Sequence, residues 1–445
     1  MLKQLLIIGN GFDLHAGLKT TYADFFEQRI SKDAKKILDS FWEEMGDYDL
    51  EHLNYPNYSS TSTNSVGIFL NYSSQNLIKR IEKISNFKIT NLTFWDIYFY
   101  YKELNGVTEW NNIEKQIHSF VTGSSENYAE DNMKSFFYIS RDTKTQSKTR
   151  TIIASIFSTS LFSKRSIKDL TAVDFLMNEL NLLEKGFIEY IEKQLENHKY
   201  YFENTRKLLT SLVVGAKYFL DKTPLTSPEL IKEMFPKTSL INFNYTEPIE
   251  SFLPSLNPDP NLKLLGSIKG ADWNHIHNNE IQVHGSIYKN NIIFGIDSNK
   301  IKPSKTIYRF TKTYRQLISD YSSFPTPGIL PNNNYGTSDV IILSFYGHSL
   351  SSLDYSYFKS LFDYYSIYDS NIHLIFYYNV YGKRTEQEIK TEQVNRVINL
   401  ISAYSETLPQ GHGENLLHKL SLERRLSVVK LELAEKEWNL QCSKD

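Results

Sequence analysis

Four apolar stretches of the sequence are each followed by polar residues whose types could carry chemistry on a nucleotide. Imidazole can act as a base near neutral pH, amides can orient a hydroxyl or a water molecule, and glycine lets the backbone approach a phosphate. The four segments are Gly9-Asn10-Gly11-Phe12-Asp13, Asn244-Tyr245, His284-Gly285-Ser286, and Gly347-His348-Ser349 with Asp354 shortly after. Each residue alone has an ordinary explanation as a turn, a cap or a buried histidine. Because open α/β sheets bind ligands at the carboxyl ends of their strands, the four segments together predict one site.

The first segment has the context of a dinucleotide-binding turn, since it lies between a predicted strand and a predicted helix. Gly9 would allow the tight turn, and Gly11 would let the backbone approach a pyrophosphate. Leu14 replaces the third glycine of the usual fingerprint, and no acidic residue ends a second strand about 20 residues later. Asp13 would either cap the helix or contact a ribose hydroxyl or a catalytic water. The turn therefore predicts a nucleotide site that differs from that of a dehydrogenase.

Apolar runs and helical periodicity predict the elements that position these segments. The predicted strands are residues 2–8, Ser239–Phe243, Ile281–Val283, Ile292–Phe294, Val340–Phe345 and Ile372–Tyr377. The predicted helices are Leu14–Arg29, Ser31–Glu44, Trp110–Val121, one or two within Ala172–Leu220, Glu386–Tyr404 and Leu416–Leu440. Turn chemistry is predicted for Asn54–Ser74 and a loop for 122–150.

This order predicts an α/β fold with a Rossmann-like, mostly parallel sheet, a large helical insertion and C-terminal helices. Residues 1–30 and 236–380 would form the nucleotide-binding core, 31–235 a mainly helical insertion subdomain, and 381–445 a C-terminal helical segment.

Composition narrows the classes of partner. Among 445 residues, 49 are basic and 51 acidic, which gives a net charge of −2 and disfavours nucleic acid as a partner. One cysteine, Cys442, excludes a disulfide framework and a zinc site built on paired cysteines, and it fits a cytoplasmic protein. No segment is long enough to suggest a signal peptide or a membrane span.

The opening stretch IIGNGFDLHAGLKTTYADF resembles the AbiH family of bacterial abortive-infection (phage-defence) proteins, which look like remote members of the sirtuin-type nucleotide-binding fold. NFNYTEPIE, VHGS and GHSLSSLD are similar to sirtuin segments that follow later strands. By this resemblance Asn244 contacts the nicotinamide ribose, and His284 is the catalytic histidine. Gly347 and Ser349 would bind the adenosine end, while the role of Asp354 stays open. The resemblance covers residues 1–30 and roughly 236–380.

The lack of the zinc-binding cysteines found in deacylating sirtuins indicates which activity the resemblance implies. Deacylating sirtuins hold a structural zinc with four cysteines, so this chain is expected to lack zinc and protein deacylation is disfavoured. Zinc-free relatives in phage defence imply an NAD+ glycohydrolase, with NAD+ as substrate and no permanently bound cofactor. The implied catalytic residues are His284, Asn244 and Asp13. The implied nucleotide-binding residues are Gly9, Asn10, Gly11, Phe12, Tyr245, Gly285, Gly347, His348, Ser349 and Asp354. A toxic enzyme needs regulation, so we expect a homo-oligomer and a phage-derived trigger.

Two other functions remain open from the residues alone. A metal-dependent nuclease or nucleotide hydrolase would need clustered carboxylates, and only Asp13 and Asp354 can be placed near strand ends. A module that senses a nucleotide or ADP-ribose without turnover would use the same pocket. His15 and Glu114 are weaker candidates, because each suits an exposed helix face.

Overall fold

A computed structural model describes residues 2–32, 35–36, 39, 92–104, 112–123, 172–220, 237–248, 277–298, 301–319, 330, 340–409 and 411–431. The strands within these ranges are β1 (Leu2–Ile8), β2 (Lys237–Asn242), β3 (His277–Gln282), β4 (Val340–Tyr346), β5 (His373–Tyr378) and β6 (Leu426–Lys430). Five of them overlap predicted strands, and β6 was not predicted.

All six strands pair in parallel, in the order β3-β2-β1-β4-β5-β6. Leu5 of β1, for example, lies opposite Ser239 of β2 and Leu343 of β4. The order reverses between β1 and β4, which is the point at which Rossmann-like sheets bind their ligands. The predicted α/β class with a Rossmann-like parallel sheet is confirmed.

The α-helices within the described ranges are α1 (Gly11–Ala16), α2 (Tyr22–Arg29), α3 (Phe94–Leu104), α4 (Ile113–Gly123), α5 (Ala172–Asn197), α6 (Tyr201–Leu220), α7 (Lys312–Ile318), α8 (Tyr355–Tyr364), α9 (Glu386–Ser405) and α10 (His412–Leu422). The predicted helices at Trp110–Val121, Ala172–Leu220 and Glu386–Tyr404 are confirmed as α4, α5 with α6, and α9. None of these ten has the length and apolarity needed to cross a bilayer.

Helices cover both faces of the sheet, as a parallel sheet requires. Because side chains alternate along a strand, Leu5 and Leu6 of β1 enter different cores. Leu6 packs in the core that contains Leu212 of α6, and α1 joins it there. Leu5 packs in the core that contains Phe358 of α8 and Leu400 of α9. The sheet is therefore the middle of three layers, and the carboxyl ends of its strands share one edge.

The predicted helix Leu14–Arg29 is wrong, because the chain forms two helices there. Gly17 ends α1 in a left-handed conformation with φ of 104°. Thr21 then caps α2 by accepting a hydrogen bond from the Asp24 backbone N–H. Glycine at such a position stops a helix whatever the periodicity of its neighbours.

Two further elements differ from the predictions. Leu416–Leu440 is not one helix, since α10 ends at Leu422 and β6 pairs with β5. Ile292–Phe294 is buried but forms no strand. Its Ile293 N–H donates to the carbonyl oxygen of His284 instead of pairing with a strand of the sheet. The predictions for Asn54–Ser74, 122–150 and most of Ser31–Glu44 lie outside the described residues.

The chain forms two compact units. The sheet unit comprises Met1–Thr20, Tyr190–Ile293 and Gln316–Asp445, and the helical unit comprises Thr21–Glu189 and Phe294–Arg315. These bounds differ from the sequence-based ones for 21–30, 190–235 and 294–315, and they place the predicted C-terminal segment 381–445 in the sheet unit. Within the helical unit, Lys312 Nζ lies 2.9 Å from Glu114 Oε2, and both side chains are buried. Glu114 therefore serves a buried ion pair of that unit.

Two glycine turns meet where β1 and β4 end. Gly9 N–H donates to the Tyr346 carbonyl oxygen at 3.1 Å, and Gly11 N–H donates to that of Gly347 at 2.7 Å. A Cβ on Gly11 would lie 2.8 Å from Gly347 Cα. A Cβ on Gly347, whose φ is 71°, would overlap the backbone nitrogen of Phe12. The two turns come this close only because both positions are glycine.

Gly347→Ala should lower the free energy of unfolding by about 2–4 kcal/mol, because it adds an overlap to the cost of a positive φ. The matched control is Gly382→Ala. Gly382 has φ of 65° but open space around a Cβ, so this variant should lose only about 1 kcal/mol. Urea unfolding of both variants measures the difference, and equal losses would refute the close contact.

Candidate functional site

Asp13 of α1 is buried beside two hydroxyl groups from distant parts of the chain. The Tyr201 hydroxyl donates to Asp13 Oδ1 at 2.7 Å, and Thr246 Oγ1 donates to Asp13 Oδ2 at 2.7 Å. The N-cap of α1 is Asn10, so Asp13 is not its cap. Burial raises the pKa of Asp13 from 3.8 to about 6, although both hydrogen bonds oppose the rise. This carboxyl group therefore gains and loses its proton closer to neutral pH than an ordinary aspartate does.

The turn after β2 is held by the amide of Asn242. Asn242 Nδ2 donates to the Thr246 carbonyl oxygen at 2.8 Å, and Asn242 Oδ1 accepts from Asn244 N–H at 2.9 Å. Asn244 is only 2% exposed, yet its side-chain Oδ1 and Nδ2 have no hydrogen-bond partner among the described residues. A buried group left this way costs about 1–3 kcal/mol unless a ligand or water completes it. Asn244 is therefore a strong candidate for a ligand contact.

Two histidines flank one carboxylate near the ends of β3 and β4. His284 Nε2 lies 3.5 Å from Asp354 Oδ1, and His348 Nε2 lies 3.4 Å from Asp354 Oδ2. All three side chains are buried. Phe243 presents T-shaped contacts to both imidazoles, with ring centroids 5.3 Å from His284 and 4.5 Å from His348. The structure thus brings together two histidines and an aspartate that span residues 284 to 354 of the sequence.

The segment 242–246 joins this histidine cluster to Asp13. Thr246 contacts Asp13, Phe243 contacts both histidines, and Asn244 lies between Phe243 and Thr246 in the sequence. The segment 242–246 therefore links the three predicted catalytic residues Asp13, Asn244 and His284 in one network at the carboxyl edge of the sheet, through the Thr246 hydroxyl, the backbone of Asn244 and the ring of Phe243.

The predicted phosphate-binding turn uses most of its amides within the protein. Besides those of Gly9 and Gly11, the N–H of Phe12 donates to the Gly9 carbonyl oxygen at 2.8 Å. Exposed Asn10 exchanges hydrogen bonds with Thr20, whose Oγ1 lies 2.5 Å from Asn10 Oδ1. These groups shape the turn, and their N–H donors are already occupied.

The remaining predicted residues are spread over the same edge. Tyr245 is half-buried, and its ring centroid lies 6.0 Å from that of His284. Gly285 has φ of 76°, and a Cβ there would overlap the Asn291 carbonyl oxygen. Ser349 is exposed, whereas its neighbour His348 is buried.

Sequence reasoning missed Tyr201, Thr246 and Asn242. Tyr201 is 188 positions from its partner Asp13, and no local pattern links them. Thr246 and Asn242 flank the predicted site residues Asn244 and Tyr245. The only sequence signal for the two residues was that they are polar and lie at the end of a buried strand. Their roles depend on contacts that only the fold creates.

His15 belongs to another polar group at this edge. His15 Nδ1 contacts the Tyr346 hydroxyl, and Asn379 Nδ2 lies 3.0 Å from His15 Nε2. Burial lowers the pKa of His15 and raises that of Tyr346. His15 is therefore half-buried and engaged by polar neighbours, not on a solvated helix face.

Within the described ranges, no group of three or more His, Cys, Asp or Glu side chains is arranged to bind a metal ion.

The fold and this network define a Rossmann-like α/β protein with buried acid, amide and imidazole groups at its carboxyl edge. The sequence model of the family described as bacteriophage abortive infection AbiH matches residues 5–378 of 445. The chain therefore belongs to the AbiH family, as its sequence predicted, and has a role in phage abortive infection. Comparisons with curated proteins and with solved structures gave no match.

Asp13→Asn should change how stability depends on pH. Because the native pKa of about 6 exceeds 3.8, the native state binds more protons between these values, and stability falls as pH rises through that window. The wild type should lose about 2–3 kcal/mol more than Asp13→Asn between pH 4 and pH 7. Urea unfolding between pH 4 and pH 7 measures this loss of stability, and the exposed Asp369→Asn variant is the control. Parallel curves for wild type and Asp13→Asn would contradict the burial argument.

Asn244→Ala and Asn242→Ala form a matched pair. Asn242 makes defined hydrogen bonds, so its loss should cost about 2–3 kcal/mol in the free energy of unfolding. Removing the unsatisfied Asn244 amide should cost less than about 1 kcal/mol, because relief of its burial offsets the lost packing. Chemical denaturation of both variants measures the two losses in the free energy of unfolding. A loss at Asn244 as large as that at Asn242 would show that its amide is structural.

Proposed function

We propose that this protein hydrolyses the bond between nicotinamide and ribose in NAD+ during phage abortive infection. The observation that carries the proposal is the buried Asn244 amide, which has no hydrogen-bond partner in the described part of the chain and lies on the segment that contacts both Asp13 and His284. Hydroxyl groups of a ribose, or an attacking water, would supply the hydrogen bonds that this amide lacks. The family role gives a reason for such an activity, because loss of NAD+ would stop metabolism in an infected cell.

The position of the network supports a dinucleotide substrate. In sheets with this strand order, dinucleotides bind outside the carboxyl ends of the strands, where the order reverses. Asp13, Asn244 and His284 follow β1, β2 and β3 on one side of that point, and His348, Asp354 and Asn379 follow β4 and β5 on the other side. A dinucleotide is long enough to span both sides.

The residue types suit N-glycoside hydrolysis. The reaction passes through an oxocarbenium-like state, and nicotinamide leaves a cationic pyridinium as a neutral molecule, so little acid help is needed. Asn244 would orient the ribose and the water. His284 would accept the proton of the water as its oxygen bonds to the ribose carbon. With a pKa of about 6, Asp13 is mostly ionised at pH 7, and its charge would stabilise the cationic state.

The test is nicotinamide release from NAD+ by purified protein, measured by chromatography with and without lysate from phage-infected cells. Asn244→Ala and His284→Ala should each lower the rate by about 100-fold or more. The controls are Asn395→Ala on α9 and His418→Ala on α10, both exposed, which should match wild type.

The outcomes separate the candidate functions. Wild-type release that survives in both variants would show that the site is wrong. No release under either condition, together with a shift in melting temperature on adding NAD+ or ADP-ribose, would identify a sensing module without turnover. Release that requires a divalent metal would favour the metal-dependent alternative.

A further inference from the structure

We infer that Asp354 and His348 are positioning residues for His284, with Asp354 orienting the His284 imidazole and His348 orienting Asp354. The inference rests on the proposed function, since it assigns His284 as the base of that reaction. It departs from the sequence-based expectation that His348 and Asp354 contact the nucleotide.

The geometry is that of a carboxylate shared by two imidazoles. Each Asp354 oxygen faces a different ring, at 3.5 Å for His284 and 3.4 Å for His348. Asp354 ends a single turn of 3-10 helix (Ser352–Asp354), whose N-cap Ser351 accepts from Leu353 N–H. Asp354 thus lies in a short capped turn. Both imidazole rings therefore face a carboxylate on ordered backbone rather than one on a flexible surface segment.

The tautomer of His348 follows from the backbone. Leu350 N–H donates to His348 Nδ1 at 2.9 Å, so Nδ1 carries the lone pair and the proton lies on Nε2. Nε2, which carries that proton, lies 3.4 Å from Asp354 Oδ2. Leu350 has φ of 52°, an unfavourable conformation for leucine, and its buried side chain anchors it in the core. The strained residue thus presents the N–H that orients His348.

Aromatic packing keeps both rings in place. Phe243 contacts the two imidazoles edge to face, and Phe358 lies 5.0 Å from His348 between ring centroids. Ser349 is the exposed residue of the same loop, which makes it better placed than buried His348 to meet a ligand. His348 therefore suits an internal role.

The chemical consequence concerns the second nitrogen of His284. His284 Nε2 lies at an ion-pair separation of 3.5 Å from Asp354 Oδ1, so in the inferred arrangement the Nε2 proton faces that carboxylate and Nδ1 carries the lone pair. As water attacks the ribose carbon and the bond to nicotinamide breaks, Nδ1 accepts one proton from that water. The resulting imidazolium is stabilised by the Asp354 carboxylate and later releases the proton to solvent, so the products are ADP-ribose, nicotinamide and a proton.

Asp354→Asn should lower kcat for nicotinamide release by about 100-fold, with KM for NAD+ changed less than about threefold, because the amide no longer fixes the tautomer. Asp354→Glu should recover part of kcat, and exposed Asp369→Asn should match wild type. A raised KM with unchanged kcat would overturn the inference, since it would show that Asp354 contacts the nucleotide.

A readout independent of activity is the tautomer of each ring, measured by nitrogen-15 NMR of histidine-labelled protein. His284→Ala and His348→Ala assign the two signals. We expect both rings to carry the proton on Nε2 in wild type. Expected tautomers without NAD+ hydrolysis would support the positioning and reject the proposed function. An Nδ1 proton on His284 would overturn the inference even if the enzyme is active or Asp354→Asn does not fold.

Discussion

The carboxyl edge of this sheet depends on the direct contact between the backbones of two glycine turns. The hydrogen bond from Gly11 N–H to the Gly347 carbonyl oxygen, at 2.7 Å, leaves no room for a Cβ at either position. This contact fixes the start of α1, which carries Asp13, against the loop that carries His348. The backbone segments that carry Asp13 and His348, which are far apart in the sequence, are therefore held together by this contact.

A second constraint lies in residues 242–246, which begin with the last residue of β2. Asn242 fixes the turn through the Thr246 carbonyl oxygen and the Asn244 N–H, and Thr246 in turn donates to Asp13. Phe243, inside the same turn, packs against His284. The orientation of the acid, the amide and the imidazole thus depends on one asparagine that need not touch a ligand itself.

The sequence predicted those parts of the fold that local patterns determine. Buried parallel strands are continuous apolar runs, so β1, β2, β4 and β5 were recognised, and the polar residues after them indicated the site. The Gly17 stop was overlooked because the periodicity continues on both sides of it. β6 was missed because only three residues separate it from α10 and it is only five residues long. Tyr201 could not be found, since its contact with Asp13 exists only in the folded chain.

The charges and free hydrogen-bond donors at the carboxyl edge of the sheet indicate which part of a dinucleotide it would bind. The amides of Gly9, Gly11 and Phe12 are engaged within the protein, so this turn offers a phosphate fewer donors than its glycines suggested. Asp13, by contrast, brings a buried carboxylate into the network with Asn244 and His284. A carboxylate in a buried site attracts positive charge strongly and repels phosphate. In NAD+ the cationic group is the pyridinium, and the positive charge moves to the ribose as the bond breaks. With NAD+ as the proposed substrate, the β1–β2–β3 side of the edge would suit the nicotinamide ribose, and the pyrophosphate would lie farther from Asp13.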